Sequence, residues 1–92
     1  RWELSPLLHG TPSMHTDNDS PIVKSCERHS HAAAHAVAFC TEGPFLTELG
    51  IDTVILGPGN IAQAHQPDEY LDLSSIQPCV DILSKLIAEY CL

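Results

Sequence analysis

The chain has 92 residues, 43% hydrophobic and 17% charged, with twelve acids against four bases and a formal net charge of −8. A chain of this length is at most one small domain, and it can bury only about 60–65% of its unfolded surface. The acidic balance argues against nucleic acid, where neutralised phosphates supply most of the affinity, and against an anionic membrane; no run of about 18 apolar residues is present to span a bilayer.

Residues Arg1 to Leu8 alternate weakly, with Trp2 and Leu4 two apart and Pro6 beyond them. This predicts an edge or terminal strand, because proline cannot donate to a ladder. Residues 9–19 (HGTPSMHTDND) are turn-rich and read as a linker. Ser20-Pro21 predicts a helix start, with serine as N-cap and proline at the first helical position. Ile22, Val23 and Cys26 then recur at helical spacing, to about Ser30. His31 to Ala34 is a small-residue connector or a continuation of the helix. His35 to Cys40 (HAVAFC) is a short apolar run, hence a buried strand.

Thr41-Glu42-Gly43-Pro44 predicts a second helix capped by Thr41, with Phe45, Leu46 and Leu49 on its buried side and Gly50 as C-cap. Ile51 to Leu56 is the next expected strand. Helix, strand, helix, strand in this order is a βαβ pattern, whose crossover is right-handed almost without exception. Ser74 or Ser75 caps a final helix of about 16 residues. Ile76, Cys79, Val80, Leu83, Leu86, Ile87 and Tyr90 are assigned to its apolar face. Asp81, Ser84, Lys85, Ala88 and Glu89 are assigned to its polar face, so the helix should pack on a sheet. The fold class is α/β.

The stretch VILGPGNIAQAHQPDEY, Val54 to Tyr70, organises the rest. An apolar strand stops at Gly57-Pro58-Gly59. Glycine there lets a ligand approach the main chain, and proline stiffens the turn. In open α/β sheets ligands bind beyond the carboxyl ends of strands, which is where His65 falls. Asp68 and Glu69 follow closely enough to orient its imidazole. The turn at Thr41-Glu42-Gly43 follows the other strand, and a helix start there offers free N–H groups to a carboxylate. His29, His31 and His35 are a weaker metal candidate, since no local acid or cysteine completes the set. Cys26, Cys40, Cys79 and Cys91 form no CxxC pair and are expected to be buried free thiols of a reducing cytosol. No P-loop, nucleophile elbow or dinucleotide fingerprint occurs.

Three motifs, CTEGPF (Cys40 to Phe45), LGPG (Leu56 to Gly59) and AHQPDEY (Ala64 to Tyr70), closely resemble the carboxyl-terminal part of the acetylornithine deacetylase branch of a dinuclear metallohydrolase family. That family also includes succinyl-diaminopimelate desuccinylase and carboxypeptidase G. The resemblance spans about Trp2 to Leu92. It implies a fragment of a three-layer α/β/α catalytic domain with parallel strands and a long C-terminal helix. Residues 1–19 would be the last strand of an inserted dimerisation domain and the hinge back from it, and residues 20–92 the end of the catalytic domain. His65 would be a metal ligand for one of two Zn or Co ions, and Glu69 a supporting acid. Thr41, Glu42, Gly57, Gly59 and Asn60 would face substrate.

The implied reaction is hydrolysis of N2-acetyl-L-ornithine to L-ornithine and acetate in arginine biosynthesis, by a cytoplasmic homodimer. Ligation needs neutral imidazole, so activity should fall in acid. No catalytic residue falls in this segment, because the general base and remaining ligands would come from earlier sequence. The segment alone is expected to be inactive and to be a piece of a longer polypeptide. Two other readings stay open. One is a non-catalytic acidic α/β module binding metal at His29, His31 and His35. The other is a structural remnant serving only as an interaction surface.

Overall fold

A computed structural model describes residues 2–7 and 10–92; Arg1, Leu8 and His9, at the ends of the first expected strand and the start of the linker, lie outside the described residues. The regular elements are α1 (Pro21–Ser30), α2 (Gly43–Glu48) and α3 (Ile76–Cys91), with 3₁₀ turns at Ile61–Gln63 and Leu73–Ser75. None of the described residues forms a β-strand. The strands expected at 35–40 and 51–56, and the described part of the one expected at 1–8, are not formed within this chain, and no parallel sheet is present among the described residues. A strand exists only through pairing. A helix closes its own hydrogen bonds.

Local signals set the helix ends. α1 begins at the Ser20-Pro21 boundary and ends at His31, which takes a left-handed φ of 57° and donates its N–H to Glu27 O at 3.0 Å. That turn closes the helix, so the connector does not continue it. Ser20 is buried, but its hydroxyl does not cap α1; it donates instead to Asp52 Oδ2 at 2.7 Å. Thr16 likewise donates to the carbonyl of Thr53. These two bonds tie the linker and the start of α1 to the segment at 52–53.

Glu42, rather than Thr41, occupies the N-cap position of α2, but the Thr41 hydroxyl still accepts the N–H of Gly43 at 3.1 Å. Beyond the helix, Ile51 N–H reaches Leu46 O at 3.1 Å and Gly50 N–H reaches Thr47 O at 3.0 Å. With Gly50 at φ 82°, this is a Schellman closure that a glycine adopts without steric cost. At the head of α3, Asp72 caps the preceding 3₁₀ turn by accepting from Ser74 N–H at 3.0 Å and from its hydroxyl at 2.9 Å. Those bonds, the backbone one foremost, hold the Asp72 carboxyl below its ordinary range. Ser75 stands at the N-cap of α3 without a side-chain bond, and Pro78 falls in the first turn, where its missing N–H costs little.

Among the described residues α1 and α3 are the one pair of helices in contact. Along α3, Ser75, Cys79, Ile82 and Leu86 are half-covered. The neighbouring stripe Ile76, Val80, Leu83, Ile87 and Tyr90 remains exposed. The apolar face assigned from sequence is therefore split in two, and only part of it is covered. Val23 is the single buried hydrophobic side chain among the described residues. The radius of gyration is 16.5 Å, against about 12 Å for a compact domain of this length. The exposed area is 7867 Å², against about 5,200 Å² for a compact monomer of this mass. The cysteines are free, but Cys40 and Cys91 are exposed and Cys26 and Cys79 only half-buried, which corrects the expectation that they are buried. No described helix is long and apolar enough to cross a membrane.

The α1–α3 contact includes a polar cluster at the last turn of α3. Buried Ser25 donates to Glu89 Oε1 at 2.8 Å. Arg28 Nη2 reaches the same oxygen at 2.6 Å, and His29 Nε2 meets Oε2 at 2.9 Å. The Tyr90 hydroxyl lies 2.9 Å from Ser25 Oγ. With the Ser25 proton given to Glu89, Tyr90 is the donor in that bond. Glu89, assigned to the polar face from sequence, stays exposed while its carboxylate accepts from three side chains of α1. Its charge, with burial as the larger effect, raises the thiol of Cys26.

Hydrogen bonds from His29, Ser25 and Arg28 hold the Glu89 carboxyl at about 2, down from the ordinary 4.5. The folded value is depressed, so the stabilisation is complete above about 4.5 and is lost as pH falls toward about 2. We expect α1 amide protection, followed by hydrogen exchange in the 92-residue chain, to decline across that window. Glu89→Gln should weaken protection at neutral pH and remove the acid step. An unchanged acid profile in Glu89→Gln would show that the decline has another origin.

Candidate functional site

An open groove of about 790 Å³ lies where the two expected strands approach the GPG corner. One wall is His35, Val37 and Phe39. Lining by every second residue is the signature of an extended segment presenting one side. The other walls are Ile55 to Ile61, Gln63 and Ala64, and Glu69 to Leu71. The residues expected to pair as strands thus border one cavity without forming a ladder. The groove is apolar along its sides, and Asn60, Gln63 and Glu69 supply polar groups.

The corner is built from backbone geometry. Gly59 has φ 90°, a conformation that side chains rarely adopt. A Cβ added there would stand 3.0 Å from Leu71 Cδ1. Asn60 caps the following 3₁₀ turn, its Oδ1 accepting Ala62 N–H at 2.9 Å. Ala64 N–H then reaches Ile61 O at 3.1 Å, and Glu69 N–H reaches Gln66 O at 3.1 Å. Two linked turns therefore carry the chain from the corner to His65 and back into the groove.

His65 sits at the crown of this loop. It is exposed and left-handed, with φ 58°. Histidine is among the non-glycine residues that tolerate this region best. Ala64, its neighbour, lines the groove, whereas His65 itself does not. Among the described residues no hydrogen bond joins the His65 ring to Asp68 or Glu69. Glu69 is among the residues that line the groove.

Of the residues expected to face substrate, Gly57, Gly59 and Asn60 share this groove. Thr41 and Glu42 do not. Thr41 is engaged in capping α2, and Glu42 lines a separate hollow with Phe45 and Leu46. The three clustered histidines go separate ways: His29 to Glu89, His31 to the end of α1 and His35 to the groove wall. No group of three metal-ligating side chains is assembled among the described residues. The groove can offer the His35 imidazole on its wall, the His65 imidazole beside it and the Glu69 carboxylate. The Ser25–Arg28–His29–Glu89 cluster is the polar constellation that sequence reasoning missed. Its one local signal was the placement of Ser25, Arg28 and His29 three and four residues apart on a helix.

The chain belongs to the peptidase family M20/M25/M40, a hydrolase family, whose model matches residues 1–89. Among curated relatives, it is 44% identical over 91 residues to an acetylornithine deacetylase of Vibrio atlanticus (strain LGP32). It is 46% identical over the same length to one of Aliivibrio salmonicida (strain LFI1238), and 41% identical to one of Vibrio cholerae serotype O1. Each match covers 99% of this chain and 24% of the relative. The chain thus spans about a quarter of the length of these relatives. No solved structure matches it.

The Asn60 cap gives a direct check on the corner. Asn60→Ala should cost about 1 kcal/mol of local stability and speed hydrogen exchange at Ala62 about fivefold. An Ala62 amide that exchanges at the same rate in both proteins would show that the side chain does not hold the turn.

Proposed function

We propose that the chain forms the carboxyl-terminal part of a metal-dependent N-acyl amino acid deacetylase that converts N2-acetyl-L-ornithine to L-ornithine and acetate in arginine biosynthesis. The observation that carries this reading is identity of 41–46% across 99% of the chain to relatives named acetylornithine deacetylase, with the His65 loop lying beside the groove of about 790 Å³. In this reading residues 1–19 close an inserted dimerisation domain and residues 20–92 end the catalytic domain. The complete enzyme works as a cytoplasmic homodimer. The segments at 35–40 and 51–56 become parallel strands once neighbouring strands supply their ladders.

The donor chemistry suits the proposed role. A neutral imidazole is an ordinary ligand of Zn and Co, and the His65 ring is accessible and unengaged by the Asp68 and Glu69 carboxylates. We assign His65 to one ion of a Zn or Co pair, and Glu69 to support of that loop. The ions, when bound, polarise the acyl carbonyl and acidify water. Gly57 and Asn60 shape the floor on which substrate lies, with Gly59 at the corner between them, and Thr41 and Glu42 form a second substrate-facing turn. The general base and the other ligands lie outside this chain, so these residues alone should not turn over substrate. The rival reading of a His29–His31–His35 metal module is disfavoured, because His29 already spends Nε2 on Glu89.

The test is a hybrid in which this chain replaces the matching segment of the Vibrio atlanticus relative. The hybrid should bind two metal ions and release ornithine from acetylornithine. His65→Ala in the hybrid should lower tightly bound metal toward one equivalent and cut kcat by at least a hundredfold. An unchanged metal content and rate would remove His65 from the centre.

A further inference from the structure

We infer that Gly59 and Leu71 form a clasp that closes the loop of residues 60–70 and sets where His65 stands, so that both are positioning residues and Gly59 does not itself bind substrate. The inference rests on the reading of His65 as a metal ligand. It starts from an approach between the two ends of the loop. Leu71 Cδ1 occupies space 3.0 Å from where a Gly59 Cβ would be, which is tighter than a real Cβ tolerates without the neighbour giving way. Gly59 also has φ 90°, so a side chain there is disfavoured by the backbone as well as by Leu71. By contrast, Gly57 meets nothing within 4 Å. The two glycines of one turn therefore have different work.

The loop between them is short of other anchors. Its internal bonds are Asn60 Oδ1 with Ala62 N–H, and backbone turns at Gln63, Ala64 and Glu69. These fix local shape. Among the described residues none of them joins one end of the loop to the other. The Gly59–Leu71 approach is the contact that does so. His65, left-handed at the crown, is far along the chain from both ends, and a small opening at the base displaces it. A metal ligand displaced by a fraction of an ångström binds less tightly, as outer supports of metal sites show when they are removed.

The clasp has a specific signature in the hybrid enzyme. Gly59→Ala should push Leu71 aside and weaken the metal held by His65 about tenfold, lowering kcat with KM nearly unchanged. Leu71→Ala, which leaves the Gly59 backbone alone, should weaken the same metal by roughly threefold. In the double variant the added methyl has room, so its metal affinity should exceed that of Gly59→Ala. Metal affinity is read by competition with a chromophoric chelator, using Co as the probe. Gly10→Ala, at a glycine with open space around it, should match the parent.

Raised KM with unchanged metal affinity in Gly59→Ala would overturn the inference and return Gly59 to substrate contact. A double variant no better than Gly59→Ala would also overturn it, because the steric term would be absent. If Gly59→Ala does not fold, Leu71→Ala carries the test, and full metal affinity there sinks the clasp. Loss of metal in His65→Ala with full retention in both clasp variants would leave the ligand assignment intact and refute this inference alone.

Discussion

Burial is the constraint on which the rest depends. The described residues hold one buried hydrophobic side chain, Val23, while Val37, Phe39, Ile55, Val80, Leu83 and Ile87 stay exposed. Hydrophobic burial is the dominant favourable term in folding, and here most of it is not collected within the chain. What order exists comes from elements that close their own hydrogen bonds and from one polar seam. That seam, Glu89 with Ser25, Arg28 and His29, joins the helices that flank the groove segments in sequence. It aligns them without supplying a core.

The same constraint decides which parts of the sequence were legible. Helix boundaries depend on neighbours a few residues away, so Ser20-Pro21, Gly50 and the start of α3 could be placed from local chemistry. The strands at 35–40 and 51–56 were read from apolar runs, which report a wish to be buried and not the presence of a partner. The alternating lining by His35, Val37 and Phe39 keeps the character of such a run while the ladder is absent. The partners of Glu89 were not readable for a related reason. Helical spacing shows which residues share a face, but not that a serine, an arginine and a histidine 60 or more positions earlier will meet one of them.

The candidate site divides along the same line. Gly57, Gly59, Asn60 and Glu69 come together because turn chemistry brings them together, and the glycine at φ 90° was readable as a corner. Thr41 and Glu42 were expected beside them through a parallel sheet, and without its ladders they stand apart. His65 was readable as a motif residue. Its left-handed backbone was not, because it lies between two successive turns closed by backbone hydrogen bonds. Family membership and the groove support one interpretation. The loop holds His65 exposed at its crown, and the apolar faces around the groove are left uncovered.

These 92 residues bury too little of themselves to fold cooperatively alone, and complete their core only against further polypeptide of an M20-family chain. Scanning calorimetry of the isolated chain tests this most directly. A self-sufficient domain of this size would absorb about 60 kcal/mol in one sharp transition. The account predicts a broad, featureless trace for the isolated chain and a sharp peak for the hybrid. A single cooperative peak of that size from the 92 residues by themselves would contradict it.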